Sequence, residues 1–264
     1  MAGLFARDKK ILIGVVHLLP LPGSPRWGGR IQRVIERATR DADAYQRGGA
    51  DAVIIENFGD LPFTKGSVAP ETVAAMAAVG HEVRKVLKIP IGFNVLRNDA
   101  HAALALCAAC RGDFIRVNVH VGAMLTDQGL IEGDAYGTLR LREQLAPDVQ
   151  ILADVHVKHA VALGEWRLEN AARDTLERGL ADALIVSGEG TGWTTDIDDV
   201  KRVRESCPKA TILLGSGVSV ENIRSFLPHV NGAIVGTSLK AGGKVDNPVD
   251  TKRVQTLGTA LHAR

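Results

Sequence analysis

Aromatic side chains make up only 4% of this 264-residue sequence. That is too few for the stacking platforms that hold single-stranded nucleic acid, and too few for an aromatic sugar groove. Cysteine is scarcer still: three in the whole chain exclude a disulfide framework and point to a reducing compartment. Cys107 and Cys110 form a C-x-x-C pair, but in an Ala-rich helical stretch with no second pair, so helix packing is the expected role. No apolar run approaches the roughly 20 residues of a membrane span. The charged stretch Met1 to Lys10, followed by a short apolar run, does not read as a signal peptide, and a cytoplasmic location is expected. A net charge of +2 supplies no drive toward nucleic acid or an anionic membrane. What the chain does have is 45% hydrophobic residues, enough for a large core.

Short apolar runs alternate with longer amphipathic stretches. Strands are expected over Ile11–Leu18, Asp51–Glu56, Ile89–Leu96, Asp113–Val119, Val149–Val157, Ala183–Ser187, Ala210–Leu214 and Gly232–Val235. Helices are expected between them, closing with Asp250 to His262. Continuous apolar runs, without strict alternation, mark parallel strands covered on both faces. About eight such units fit one (β/α)8 barrel, with no linker or composition break anywhere in 1–264. A doubly wound open sheet would want a glycine fingerprint after the first strand, and His17-Leu-Leu-Pro-Leu-Pro-Gly23 is none. An internal echo agrees with repeated units. Gly48-Gly-Ala-Asp-Ala-Val-Ile-Ile55 matches Gly179-Leu-Ala-Asp-Ala-Leu-Ile-Val186, and more weakly Asn231-Gly-Ala-Ile-Val235.

In such a barrel the chemistry sits at the C-terminal strand ends. Those ends deliver His17, Glu56 and Asn57, Asn94, then Arg116, Asn118 and His120, then Asp154, His156 and Lys158, then Ser187 and Gly188. Asp154, His156 and Lys158 share one parity, so a strand would project all three to one face. Acids, imidazoles and amides on six consecutive strand ends exceed what a solvated rim needs. The last two strands end in Gly215-Ser-Gly217 and Gly236-Thr-Ser238. Loops in those positions cradle phosphate through backbone N–H groups, with Ser216, Thr237 and Ser238 as added donors and Lys240 as either an added charge or a solvated side chain. The stretch from Ser187 through Thr191 to Thr195 reads as a lid or as a plain surface loop with a Trp anchor, with Thr191 as a substrate contact, and His120 to Gly133 as a lid or a subunit contact.

Six blocks of the sequence together resemble the BtpA/SgcQ family. They are Gly14 to Pro25, Gly49 to Asp60, Gly92 to Asp99, Phe114 to Asn118, Ala153 to His159 and Val186 to Gly192. The resemblance implies a phosphate-binding barrel of the ribulose-phosphate type, with relatives likened to phosphoribosylanthranilate isomerase. It also implies an alternative, because the family's founding member is linked to photosystem I assembly or stability.

The expected function is acid–base catalysis on a small phosphorylated sugar or nucleoside-derived compound, of isomerase, epimerase, aldolase or glycosidic-bond lyase type. Asp154 or Glu56 would be the base and His156 or His17 the acid. Asn94, Arg116 and Asn118 would hold hydroxyls or an oxyanion, and Lys158 would be an ion-pair partner or an electrophile. A metal-dependent version places a divalent ion on His17, Glu56, Asp154 and His156. The rival of a different class is a non-catalytic assembly factor; a homo-oligomer is compatible with either. On this reading Asp154→Asn abolishes activity and spares the fold.

Overall fold

The computed structural model describes residues 10–164, 166–188 and 194–263. Among the described residues eleven strands run in chain order: β1 Ile11–His17, β2 Ala52–Glu56, β3 Ile91–Asn94, β4 Phe114–Val117, β5 Ala123–Thr126, β6 Gly129–Glu132, β7 Gln150–Val155, β8 Ala160–Ala162, β9 Ala183–Val186, β10 Ile212–Leu214 and β11 Gly232–Val235. Eight of them close a parallel barrel in the order β1-β2-β3-β4-β7-β9-β10-β11 and back to β1, as expected from the alternating pattern. The main helices between and after them are α1 Ile31–Arg47, α2 Pro70–Val86, α3 Ala100–Cys110, α4 Ala135–Leu145, α5 Leu168–Arg173, α6 Ile197–Ser206, the short α7 Ile223–Phe226 and α8 Thr251–His262.

The strands are apolar on both faces because each face meets protein. One parity packs outward on the helices; the other fills the barrel with Ile11, Ile13, Val15, Ala52, Ile54, Phe114, Leu152, Ile185, Leu213 and Ile234. Gly92 belongs to the inward set, and a Cβ there would lie 2.2 Å from the Phe114 ring. The ring occupies the space that the missing side chain leaves.

The echo in the sequence has a physical basis at the opposite, N-terminal rim. Asp51 accepts the backbone N–H of Leu12 at 2.9 Å, Asp182 that of Ile151 at 2.7 Å, and Asn231 that of Ile212 at 3.0 Å. Asp113 does the same for Ile91 at 2.9 Å. Each residue stands just before one barrel strand and ties down the start of the preceding strand of the barrel. On the helix side, Asp99, Asp134, Asp196 and Asp250 cap α3, α4, α6 and α8 by accepting free N–H groups of the first turn.

Cys107 and Cys110 lie buried in α3 as free thiols, each against a backbone carbonyl. Burial raises both pKa values, which fits packing rather than reactivity. The segment from His120 to Gly133 is not a simple loop. It forms the β5–β6 hairpin, which β8 extends to a three-stranded antiparallel sheet. Its inner face packs Met124 and Ile131 on Val119 and Val157.

Lys240, expected near the phosphate loops, points elsewhere. Its ammonium is fully buried and donates to Asp41 of α1 at 2.9 Å, and Asp41 also accepts from Val249 N. Asp41→Ala strands that charge and should cost about 3–5 kcal/mol. Urea titration reads the loss, and Asp41→Ala with Lys240→Met should recover most of it.

Candidate active site

The inward parity that fills the barrel with hydrocarbon continues one step further into polar groups. His17 follows Val15, Glu56 follows Ile54, Arg116 follows Phe114, Asp154 follows Leu152 and Ser187 follows Ile185. The register sets His17 beside Glu56 and Glu56 beside Asn94. On β10 and β11 the same step gives Gly215 and Gly236, which leave room where other strands fill it.

Among the cavities at this rim, two adjoin and share lining residues. One, of about 390 Å³, is lined by His17, Thr194, the Gly215–Ser219 loop, the Gly236–Ser238 loop and Arg253. The other, of about 370 Å³, is lined by Phe58, Phe63, Leu96, Arg97, Asn118 and Asp127 among others. Glu56, Arg116 and Lys158 line both, so they stand at the junction of two lobes.

Below the junction lies a closed network. Arg116 donates to both oxygens of Asp154, at 2.8 and 2.9 Å, and both side chains are essentially buried. Asn118 and Ser187 also donate to Asp154, at 3.3 and 3.1 Å. Asn94 donates to Asn118 Oδ1 at 3.0 Å and to Arg116 O at 3.1 Å. Asp154 therefore has its acceptor sites filled by four donors and faces the protein, not the cavities. Glu56 differs. It is 4% exposed, and among the described residues its carboxylate accepts no hydrogen bond. Lys158 forms no ion pair within 4 Å among the described residues, and its pKa is lowered by burial first and then by the Arg116 charge.

His17 Nδ1 is buried without a partner, and the ring stacks on Phe58 with centroids 4.5 Å apart. Burial first, then the charges of Lys240, Lys158 and Arg116, push its pKa well below the usual imidazole value. Its protonated form is therefore disfavoured, which weighs against the acid role expected of it. The sign for stability follows. The unfolded chain takes up this proton as pH falls through about 6.5, while the folded chain does not. Stability is present above that pH and lost below it. His17→Gln should flatten the acid limb of melting temperature against pH between about 7 and 5. His120 and His156, also lowered by burial, leave a residual slope.

Three expectations are corrected. His156 does not join Asp154 and Lys158 on one face: β7 ends at Val155, and His156 takes a left-handed backbone with φ +54°. Its ring lies 5.7 Å from Trp166, away from both lobes, with Nε2 buried and unpartnered. Lys158 reaches the junction from the loop after β7, not from the strand. The four-residue metal set is not assembled, and among the described residues no three His, Cys, Asp or Glu side chains cluster to hold an ion.

The glycine loops line their lobe as expected, with hydroxyls used differently. Ser238 donates to Val218 O at 2.7 Å and so ties the two loops together. Ser216 Oγ accepts Gly188 N–H at 2.8 Å, which fixes Gly188 against the loop; Thr237 lines the lobe. Asn222 braces the first loop by donating to Gly217 O at 2.7 Å and accepting Ser219 N–H at 2.9 Å. Gly217 has φ +63°, a conformation that favours glycine. Cβ atoms would meet Ser187 Oγ at 2.2 Å at Gly215 and the His17 ring at 2.6 Å at Gly236. Thr191 lies outside the described residues. Arg97, Asn222 and Arg253 escaped the sequence reading because each sits in a loop or on a helix, beyond any strand end.

Residues 8–263 match the BtpA family. The chain belongs to that family. Photosystem I biogenesis protein BtpA of Synechocystis sp. is 47% identical over 250 residues, covering 95% of this chain and 87% of that protein. An uncharacterized protein of Pyrococcus horikoshii is also 47% identical, covering 95% of each chain. Putative sgc region protein SgcQ of Escherichia coli is 34% identical, covering 96% of this chain and 95% of that one. In fold, this BtpA-family chain is similar to phosphoribosyl anthranilate isomerase from Thermus thermophilus, with TM-score 0.56, 13% identity and coverage of 95% and 98%. It is also similar to a Mycobacterium tuberculosis tryptophan synthase chain, with TM-score 0.63, 15% identity and coverage of 99% and 97%. The BtpA-family chain is therefore a TIM barrel; at such identities the likeness concerns fold alone.

Proposed function

We propose that the chain is an enzyme that moves protons on a small phosphorylated sugar or nucleoside-derived compound, with Glu56 as the general base. The observation that carries this reading is the contrast between two buried carboxylates at one rim. Asp154 is saturated by Arg116, Asn118 and Ser187, whereas Glu56 is unbonded where the two lobes meet. The oxygens of Glu56 are not enclosed by protein but reach the cavity space, where a carboxylate with no protein donor is free to take a proton.

The phosphate rests in the first lobe. Among the described residues, the N–H groups of Gly217, Val218, Thr237 and Ser238 donate to no protein acceptor, and Arg253 adds charge at the edge. The reacting carbon then sits at the junction. Glu56 removes a proton there. Lys158, whose lowered pKa eases proton donation, and the neutral His17 serve the developing oxyanion or leaving oxygen. Arg116, locked by Asp154, keeps its positive charge fixed beside both. Proton transfer of this kind fits isomerase, epimerase or lyase chemistry.

A thermal-shift screen of phosphosugars and nucleotides, with and without divalent ions, tests the reading, because a ligand that binds only the native state raises the melting temperature. A phosphorylated ligand should stabilise the native chain and Glu56→Gln alike, and be turned over only by the former. Turnover by both removes Glu56 from the chemistry.

A second reading, a non-catalytic assembly factor, is favoured by one observation besides a relative's name. Leu125, Leu130 and Val161 stand opposite one another on the outer face of the hairpin sheet, 55%, 40% and 70% exposed. On that reading Val161→Lys abolishes partner capture and Glu56→Gln changes nothing.

A further inference from the structure

The second lobe differs in kind from the first. Among the described residues no glycine lines it; its wall is Phe58, Leu61, Phe63 and Leu96, and Arg97 is a cation that it does not share with the first lobe, beside Arg116 and Lys158, which it does. Arg97 is 4% exposed, yet among the described residues no carboxylate lies within ion-pair distance of its guanidinium. One N–H group donates to Lys158 O, while Nε is buried without any partner. Burial lowers its pKa, and the charges of Asp154, Asp127 and Glu56 offset this only in part. A buried guanidinium without a counterion is costly.

The backbone that carries it is held firmly, so the arrangement is built rather than incidental. Asn57 accepts Leu96 N–H at 2.7 Å, and Arg97 N–H donates to Thr64 O at 3.1 Å. Asn98 bonds both backbone groups of Val119, at 2.7 and 2.9 Å. Asp99 accepts from Val68 and Ala102, each at 2.9 Å. A pinned loop thus presents a desolvated planar cation to a cavity with a hydrocarbon wall.

We propose that this lobe is a carboxylate subsite. Resting on the function proposed above, the substrate carries a phosphate at one end and a carboxylate on an apolar or aromatic stem at the other. A planar carboxylate matches the fork of a guanidinium. A second phosphate fits less well, because the lobe lacks a backbone cradle and also presents the carboxylates of Glu56 and Asp127. The two anions then lie on either side of Glu56, which sets the reacting carbon between them.

Calorimetric titration of the full chain tests this with inorganic phosphate, phosphate monoesters of ω-hydroxyalkanoic acids from propanoic to heptanoic, the matching alkyl phosphates, and alkane bisphosphates. At one chain length the acid ester should bind about tenfold or more tighter than its alkyl counterpart. Arg97→Met should erase that gain, leave inorganic phosphate binding unchanged, and melt no lower than the native chain because it deletes an unpaired charge. Arg97→Lys should keep part of the gain. The proposal is overturned by a series without a gain, by a gain that survives Arg97→Met, by an equal gain from a bisphosphate, or by a variant melting far below the native chain. If inorganic phosphate does not bind, the glycine-loop reading fails on its own. Glutarate and benzoate then decide this one: binding by the native chain and not by Arg97→Met supports it, and any other pattern overturns it.

Discussion

Glu56→Gln should lower turnover about a thousandfold while leaving the fold and the affinity for phosphate unchanged. The amide has the size of the carboxylate, and no described protein group donates to the carboxylate, so the substitution breaks no hydrogen bond among the described residues. What it removes is the only described carboxylate that lines both lobes. The loss should appear in kcat, since a base acts in the transition state and contributes little to holding the phosphate. A rise in KM with kcat unchanged would assign Glu56 to binding, and a matching fall in melting temperature would assign it to structure.

Asp154→Ala should be the most damaging single substitution at the rim for stability, costing about 3–5 kcal/mol. Arg116 would be left charged and 3% exposed, with its two short bonds gone and Asn118 and Ser187 without their acceptor. For a chain of this size that corresponds to a fall of roughly 10 °C in melting temperature. Asp154→Leu combined with Arg116→Met should recover much of the loss, because a buried pair replaced as a unit is often near neutral. The expectation that Asp154→Asn would spare the fold gives way for the same reason: an amide cannot accept the bidentate guanidinium. Urea denaturation of the three variants measures this. Equal stability of Asp154→Ala and the native chain would show the pair to be dispensable.

The fold was legible because hydrophobic pattern depends on local chemistry. Parallel strands covered on both faces are apolar throughout, and eight such runs separated by helices admit few arrangements. The position of Glu56, Asn94, Arg116, Asn118 and the two glycine loops was legible as well, because a strand's parity carries its side chains to a known face. Parity failed where the strand itself stopped. His156 adopts a left-handed backbone just past β7, and alternation says nothing beyond that residue. Pairing was also hidden. Asp154 stands two residues from His156 in sequence, yet its partner Arg116 is 38 positions away, and Lys240 finds Asp41 across 199. The hairpin sheet went unread because Leu125 and Leu130 sit in strands of four residues with a mixed burial pattern, too short for a period to register. The Ala-Asp-Ala echo was visible, but its cause, a carboxylate tying down the neighbouring strand, lies in the third dimension.

The central claim is that Glu56 removes a proton from a phosphorylated compound held between the two lobes. It is tested most directly by incubating the native chain and Glu56→Gln with a mixture of phosphorylated sugars and nucleotide-derived compounds in deuterium oxide, and following carbon-bound hydrogens by proton NMR. The account predicts that one phosphorylated compound loses a C–H signal with the native chain and keeps it with Glu56→Gln, although both bind it. Exchange at the same rate with both proteins would contradict the account.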